Sequence, residues 1–194
     1  MTSEPSIHGQ APIAPGLTGP LVISTIEFPI SGTLGLTHCP GRNRVDGAGR
    51  RWRRSLTDDL TSISQWRADG VISLVEAHEL AALGVPDLAE ALATNGVPWF
   101  HLPIEDMHSP GAPFAEAWQA NGAALLDVLN SDGRLIIHCA AGLGRTGMIA
   151  AKMLVANGMA PHDAIVLVRE RRPGTIETTM QSDYVLNGPL LGSH

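Results

Sequence analysis

With 194 residues, 44% of them hydrophobic, the chain has enough apolar material for one domain with a sizeable core, so disorder throughout is excluded. A net charge of −6 argues against general binding to nucleic acid, and no run approaches the roughly 18 consecutive apolar residues that a membrane span needs. Two cysteines, at 39 and 139, make no disulfide framework, and "MTSEPSIHGQAPIAPG" has neither the basic start nor the apolar run of a secretory signal. The expectation is a cytoplasmic protein with reduced thiols.

Residues 1–20, rich in Pro, Gly and Ser, read as a flexible lead-in, and 21–194 as a single folded domain. "LVISTIEF" (21–28) and "GTLGLTHC" (32–39) look like short strands, the second ending in the turn "CPGRN". In "SLTDDLTSISQWRADG" (55–70), Leu56, Leu60, Ile63 and Trp66 recur at helical spacing, and Gly70 is placed to end the helix. "VISLV" (71–75) is a buried strand, followed by short helical pieces to about 95. "VPWFHLPI" (97–104) is a further strand and "EDMHSPGAP" (105–113) a loop. A helix is expected over 114–130 and a strand over 134–138. "TGMIAAKMLVANG" after Arg145 is apolar nearly all round, as a central buried helix would be. Helices over 161–173 and about 177–187 complete the chain. Alternating strands and helices predict an α/β domain, a mostly parallel central sheet flanked by helices.

The chemistry concentrates in "HCAAGLGRTG" (138–147), between a strand and the buried helix. A strand-to-helix loop aims several backbone N–H groups at one point, and the helix dipole adds positive potential there. Small residues at Ala140, Ala141, Gly142 and Gly144, with Leu143 between the glycines, let those amides converge into an anion cradle. Arg145 adds a planar fork able to grip two anion oxygens. A cysteine at the base of such a cradle is expected to be a thiolate at neutral pH, poised for covalent phosphoryl transfer, and Cys139 sits there. Expulsion of an alcohol or phenol oxygen needs a nearby proton donor, for which Glu105 and Asp106 in the preceding loop are the candidates. Thr146 is also well placed to cap the following helix, and His138 to end the strand with a hydrogen bond.

"HCAAGLGRTG" resembles the His-Cys-x5-Arg-Thr/Ser motif of the protein tyrosine and dual-specificity phosphatases. "HLPIEDMHSP" upstream and "VRERRPGTIETTMQSDYV" downstream fit that superfamily in order. "LGLTHCPGR", "HELAALGVPDL" and "PIEDMHSP" resemble the kinase-associated phosphatase group within it. The resemblance implies a phosphocysteine mechanism with Cys139 as nucleophile, Arg145 and the loop amides of 140–144 holding phosphate, and Asp106 as general acid and then base. It implies that Thr146 hydrogen-bonds the departing thiolate and that His138 supports the loop. Of the glutamines that orient water in tyrosine-specific members, one position here holds Glu177 and the other Gln181.

This route asks for no metal or other cofactor, and the expected substrate is a phosphoprotein bearing phosphotyrosine or phosphoserine/threonine. Ala140, Ala141 and Leu143 stand where phosphoinositide-specific relatives carry lysines, which disfavours polyphosphorylated lipid. A catalytically silent phosphate-recognition module and a phosphatase of small-molecule phosphates are the alternatives. No membrane or nucleic-acid partner is expected, and the oligomeric state is left open. "HCPGR" (38–42) reads as a turn, not a second cradle, because two residues separate Cys39 from Arg42 and Pro40 removes an N–H. Whether Cys39 approaches Cys139 closely enough to pair with it stays open. "RRWRR" (50–54) reads first as a solvated face and second as a contact for an acidic or phosphorylated partner.

Overall fold

A computed structural model describes residues 18–191. Most of the lead-in expected at 1–20 therefore lies outside the described residues, as do 192–194. The strands are β1 (Ser24–Glu27), β2 (Thr33–His38), β3 (Gly70–Ser73), β4 (Trp99–His101) and β5 (Arg134–Cys139). They form one sheet in the order β1-β2-β5-β3-β4, with only the edge strand β1 antiparallel to its neighbour. The sheet is thus mostly parallel and flanked by helices, the expected α/β architecture. β2 and β3 are buried at every residue, and β5 at every residue but its first, so they read as continuous apolar runs. β1 alternates more, as an edge strand facing solvent on one side can.

The helices are α1 (Leu56–Gln65), α2 (Ala77–Leu83), α3 (Leu88–Thr94), α4 (Ala112–Asn130), α5 (Gly144–Ala156), α6 (Pro161–Arg171) and α7 (Thr179–Asn187). Ser55 caps α1 by accepting from the Asp58 N–H, and Gly84 ends α2 in the left-handed region at φ 82°. α4 starts at Ala112, two residues earlier than the apolar period suggests, because Pro113 is tolerated in a first turn. The strand expected over 97–104 pairs only at Trp99–His101, since Pro98 and Pro103 lack the N–H that a ladder needs.

α5 is buried from Gly144 through Leu154 and packs against β2, β5, α6 and α7. Its Met148, Ile149, Met153 and Leu154 are wholly inaccessible to solvent. Each contributes roughly 1.5–3 kcal/mol of burial. That anchorage matters for function, because β5 and α5 are the two rigid elements that the loop 139–144 joins. Among the described residues no helix is long and apolar enough to cross a membrane.

Candidate active site

Cys139 is the last residue of β5, and α5 begins five residues later at Gly144. Between them the chain must turn sharply around one point. Gly142 makes that possible at φ +72°, where a Cβ would lie 2.2 Å from the Thr37 carbonyl oxygen. Its N–H donates to Cys139 Sγ at 3.2 Å. The outward carbonyls are tied from behind. Ala140 O accepts from the Cys39 N–H at 3.3 Å and from Arg42 Nη1 at 3.0 Å. Gly142 O accepts from Arg172 Nε at 2.6 Å, and Ala141 O from Arg172 Nη2 at 3.5 Å. Holding three successive carbonyls outward aims the intervening N–H groups at the centre, the geometry of an anion nest.

Arg145 is 1% exposed although it carries a full charge. Its Nη1 donates to Glu79 Oε2 at 2.6 Å and to the Ile104 carbonyl at 2.8 Å. Nη2 donates to Glu79 Oε1 at 2.9 Å and lies 2.9 Å from Asp106 Oδ1. Nε is buried with no partner among the described residues. The edge formed by Nε and Nη2 is therefore the one on which two anion oxygens fit once Asp106 gives way. Burial alone would raise the Glu79 pKa, but the Arg145 hydrogen bonds outweigh it and hold the carboxylate below its usual range. Burial likewise works against the Arg145 charge, yet Glu79, Cys139 and Asp106 push its pKa up.

Cys139, Arg145, Asp106 and Glu177 line one cavity of about 540 Å³ together with Ala140 and Ala141. Glu105, the rival of Asp106, is 71% exposed beside His108 and lines a different cavity. Of the two candidates only Asp106 reaches Arg145, although its side chain is itself 66% exposed. His138 is wholly buried, and burial lowers its pKa to about 4. It is therefore neutral near pH 7, and its tautomer follows from its partners. The Cys139 carbonyl 3.2 Å away can only accept, so Nδ1 carries the proton and Nε2 accepts from Ser73 Oγ, which in turn accepts from Trp99 Nε1. Gln181 is buried. Its Oε1 accepts from the N–H groups of Glu177 and Thr178, while Nε2 has no partner among the described residues and packs where a Gly144 Cβ would stand.

A family model described as a DSP-PTPase phosphatase of polymorphic toxin systems matches residues 46–159, which include the whole cradle. The chain belongs to this family. Cyclin-dependent kinase inhibitor 3 of Homo sapiens is 28% identical over 191 residues, 95% of this chain and 85% of that protein. Its counterpart in Rattus norvegicus is 28% identical over 155 residues, 78% and 69% of the two chains. The crystal structure of kinase-associated phosphatase, with its catalytic-site cysteine replaced by serine, superposes with a TM-score of 0.75 at 26% identity, covering 86% of this chain and 93% of that one. The chain is accordingly a phosphatase of the protein-tyrosine/dual-specificity class.

Three expectations are sharpened in the phosphatase. Thr146 is not the helix cap, a position held by Leu143; it is the third residue of α5, and its Oγ1 is buried without a partner among the described residues. "HCPGR" is a turn as expected, but Arg42 from it lines the cavity, braces Ala140 and stacks 4.2 Å from the Trp52 ring. The run "RRWRR" divides. Arg54 is buried against Asp59 at 2.6 Å, whereas Arg50 lines the cavity. Cys39 is buried and free, as is Cys139. Burial pushes the Cys39 thiol well up, against the opposing pull of Arg42.

Glu79, Ser73 and Arg172 escape a reading of the sequence. Glu79 stands three residues after Glu76 in a capping box, a pattern that announces a helix start and says nothing of Arg145. Arg172 follows a charged helical stretch and looks solvated, and Ser73 sits within an apolar strand. Only the fold brings them to the site.

Proposed function

We propose that the protein hydrolyses phosphotyrosine or phosphoserine/threonine in proteins through a phosphocysteine intermediate. The reading is carried by one juxtaposition: a cysteine and a buried arginine in a common cradle, with the Asp106 carboxylate 2.9 Å from that arginine. Phosphate of the substrate takes the Nε and Nη2 edge of Arg145 and the N–H groups of residues 140–144, displacing Asp106 from Nη2. Cys139 Sγ attacks phosphorus, the P–O bond to the substrate breaks, and the leaving oxygen takes the Asp106 proton. Water then attacks phosphorus, its proton passes to Asp106, and the P–S bond breaks to return the thiolate and release inorganic phosphate.

The remaining residues support these two steps. His138 stiffens the base of the cradle through its Nδ1–H bond to the Cys139 carbonyl. The Thr146 hydroxyl, buried without a partner among the described residues, is the donor that the proposal assigns to the thiolate as it leaves phosphorus. Glu177 lines the cavity and Gln181 packs with it at Gly144, and to these two the proposal assigns orientation of the incoming water. Charge on the transferring phosphoryl group is met by Arg145 and backbone dipoles already in place. The test is Cys139→Ser: hydrolysis of p-nitrophenyl phosphate should fall by about 10⁴ or more, with inorganic phosphate still bound. Turnover in that variant at the wild-type rate overturns the proposal.

A further inference from the structure

One part of the lining of the catalytic cavity is a tight turn over 45–51, closed by a bridge between Val45 and Arg51. Asp46 is its hub. Oδ1 accepts from the N–H groups of Ala48 and Arg50 at 3.0 and 2.9 Å, and Oδ2 from Arg50 Nε and Trp52 Nε1 at 2.8 and 3.0 Å. All the acceptor capacity of this carboxylate is thereby used inside the turn. Its side chain is 6% exposed, while that of Arg50 is 50% exposed. The tether engages Arg50 at Nε alone. The two Nη groups make no hydrogen bond among the described residues, on a guanidinium whose base is fixed and which lines the cavity.

A second cation stands beside it. Arg42 lines the same cavity, is 7% exposed, and keeps a buried Nε without a partner among the described residues. Burial depresses its pKa, and the Arg50 charge adds to that depression against the opposing pull of Asp46. Two like charges lining one cavity, with the Nη donors of Arg50 unspent, favour an anion beside them. The floor already takes the scissile phosphate, so this is a separate requirement. Gly47 and Ala48 leave the rim open, for a Cβ added at Gly47 would meet nothing within 4 Å.

We infer that Arg50, backed by Arg42, forms a subsite for a second anionic group on the substrate, a carboxylate or phosphate on a residue adjoining the phosphoresidue. This rests on the phosphoprotein reading above and narrows it to acidic or doubly phosphorylated segments. Of the arginines in 50–54, Arg50 is the one placed to act so, which gives part of that run a role other than solvation.

The test measures binding to the Cys139→Ser protein, so that it does not depend on turnover. Four phosphopeptides would differ only at the residue beside the phosphoresidue: Glu, phosphoserine, Ala or Lys. The account expects Glu and phosphoserine peptides to bind about fivefold or more tighter than Ala, and Lys weaker, with the preference shrinking as salt rises. In Cys139→Ser/Arg50→Gln the Glu-to-Ala ratio should collapse towards one. Arg50→Lys, which keeps charge but not the Nε tether, should retain part of it. Equal affinities in the Arg50 protein, a preference undiminished in Arg50→Gln, or no peptide bound overturns the subsite. A preference for phosphoserine without one for Glu would restrict it to phosphate. Turnover of the same peptides by the Cys139 enzyme tests the phosphatase reaction separately.

Discussion

The two faces of the loop 139–145 are built in different ways. Its front consists of consecutive residues: a thiol, five small or apolar positions and an arginine, of which Cys139, Ala140, Ala141 and Arg145 line the cavity. Its back is assembled from Cys39 and Arg42 after β2, Glu79 on α2, and Arg172 after α6, more than 130 residues from first to last. The front supplies the groups to which the proposed mechanism assigns the reaction. The back supplies the reason they are in place before substrate arrives, since three carbonyls and the Nη groups of a buried guanidinium already have partners without it, leaving Nε unspent. Catalysis through preorganised dipoles needs both, but only the front has a local spacing that chemistry dictates.

The comparison can be broken first at the front. Asp106→Asn should lower kcat for a phosphopeptide with a poor leaving group by about 10²–10⁴, and much less for p-nitrophenyl phosphate, whose leaving group needs little protonation. Equal losses on both substrates would count against proton donation by Asp106.

At the back, Arg172→Met should leave the Ala141 and Gly142 carbonyls short of a donor. It should reduce kcat/KM about 10- to 100-fold and weaken inorganic phosphate by a similar factor in protein that remains folded by circular dichroism. Arg172→Lys, with one donor point and the charge kept, should recover part of both. An Arg172→Met enzyme with normal phosphate affinity would show that the carbonyl clamp does not shape the cradle.

Stability provides a third discriminator. His138 has a folded pKa of about 4, below the ordinary 6.5, so between those values the unfolded chain binds the proton and the folded one does not. Stability should therefore rise with pH from about 4 to 6.5 and level off above, by up to about 3 kcal/mol from this group. His38, lowered to about 3 by burial and by nearby arginines, adds to the same slope. Denaturant unfolding at pH 7 and pH 5 measures it, and His138→Asn should flatten the curve. The smallest effect belongs to Glu105→Gln, which should change kcat by less than about twofold, as expected for an exposed carboxylate outside the catalytic cavity.

The α/β order, the buried helix after Arg145 and the parallel sheet were legible because burial imposes a period or an unbroken apolar run. Strand ends were less so: the prolines flanking β4 shorten its ladder without changing its hydrophobicity. At the site, Cys139, Arg145 and the loop were visible from spacing, whereas spacing alone left Asp106 and Glu105 open and only the family resemblance favoured Asp106. Both carboxylates are adjacent in the chain and polar, yet only one points at Arg145. Thr146 reads equally well as a cap in sequence, but α5 starts at Gly144 with Leu143 in the cap position. Glu79 and Arg172 could not be found at all, because what makes them functional is a partner far away in sequence.

The most direct measurement is acid quench of the wild-type enzyme during turnover of a phosphopeptide, followed by mass analysis of its proteolytic fragments. The account predicts one added phosphoryl group on the fragment containing Cys139, absent from Cys139→Ser and more abundant in Gln181→Ala if Gln181 orients the hydrolytic water. Phosphoryl label on a different residue, or full turnover with Cys139 never labelled, would contradict the phosphocysteine mechanism.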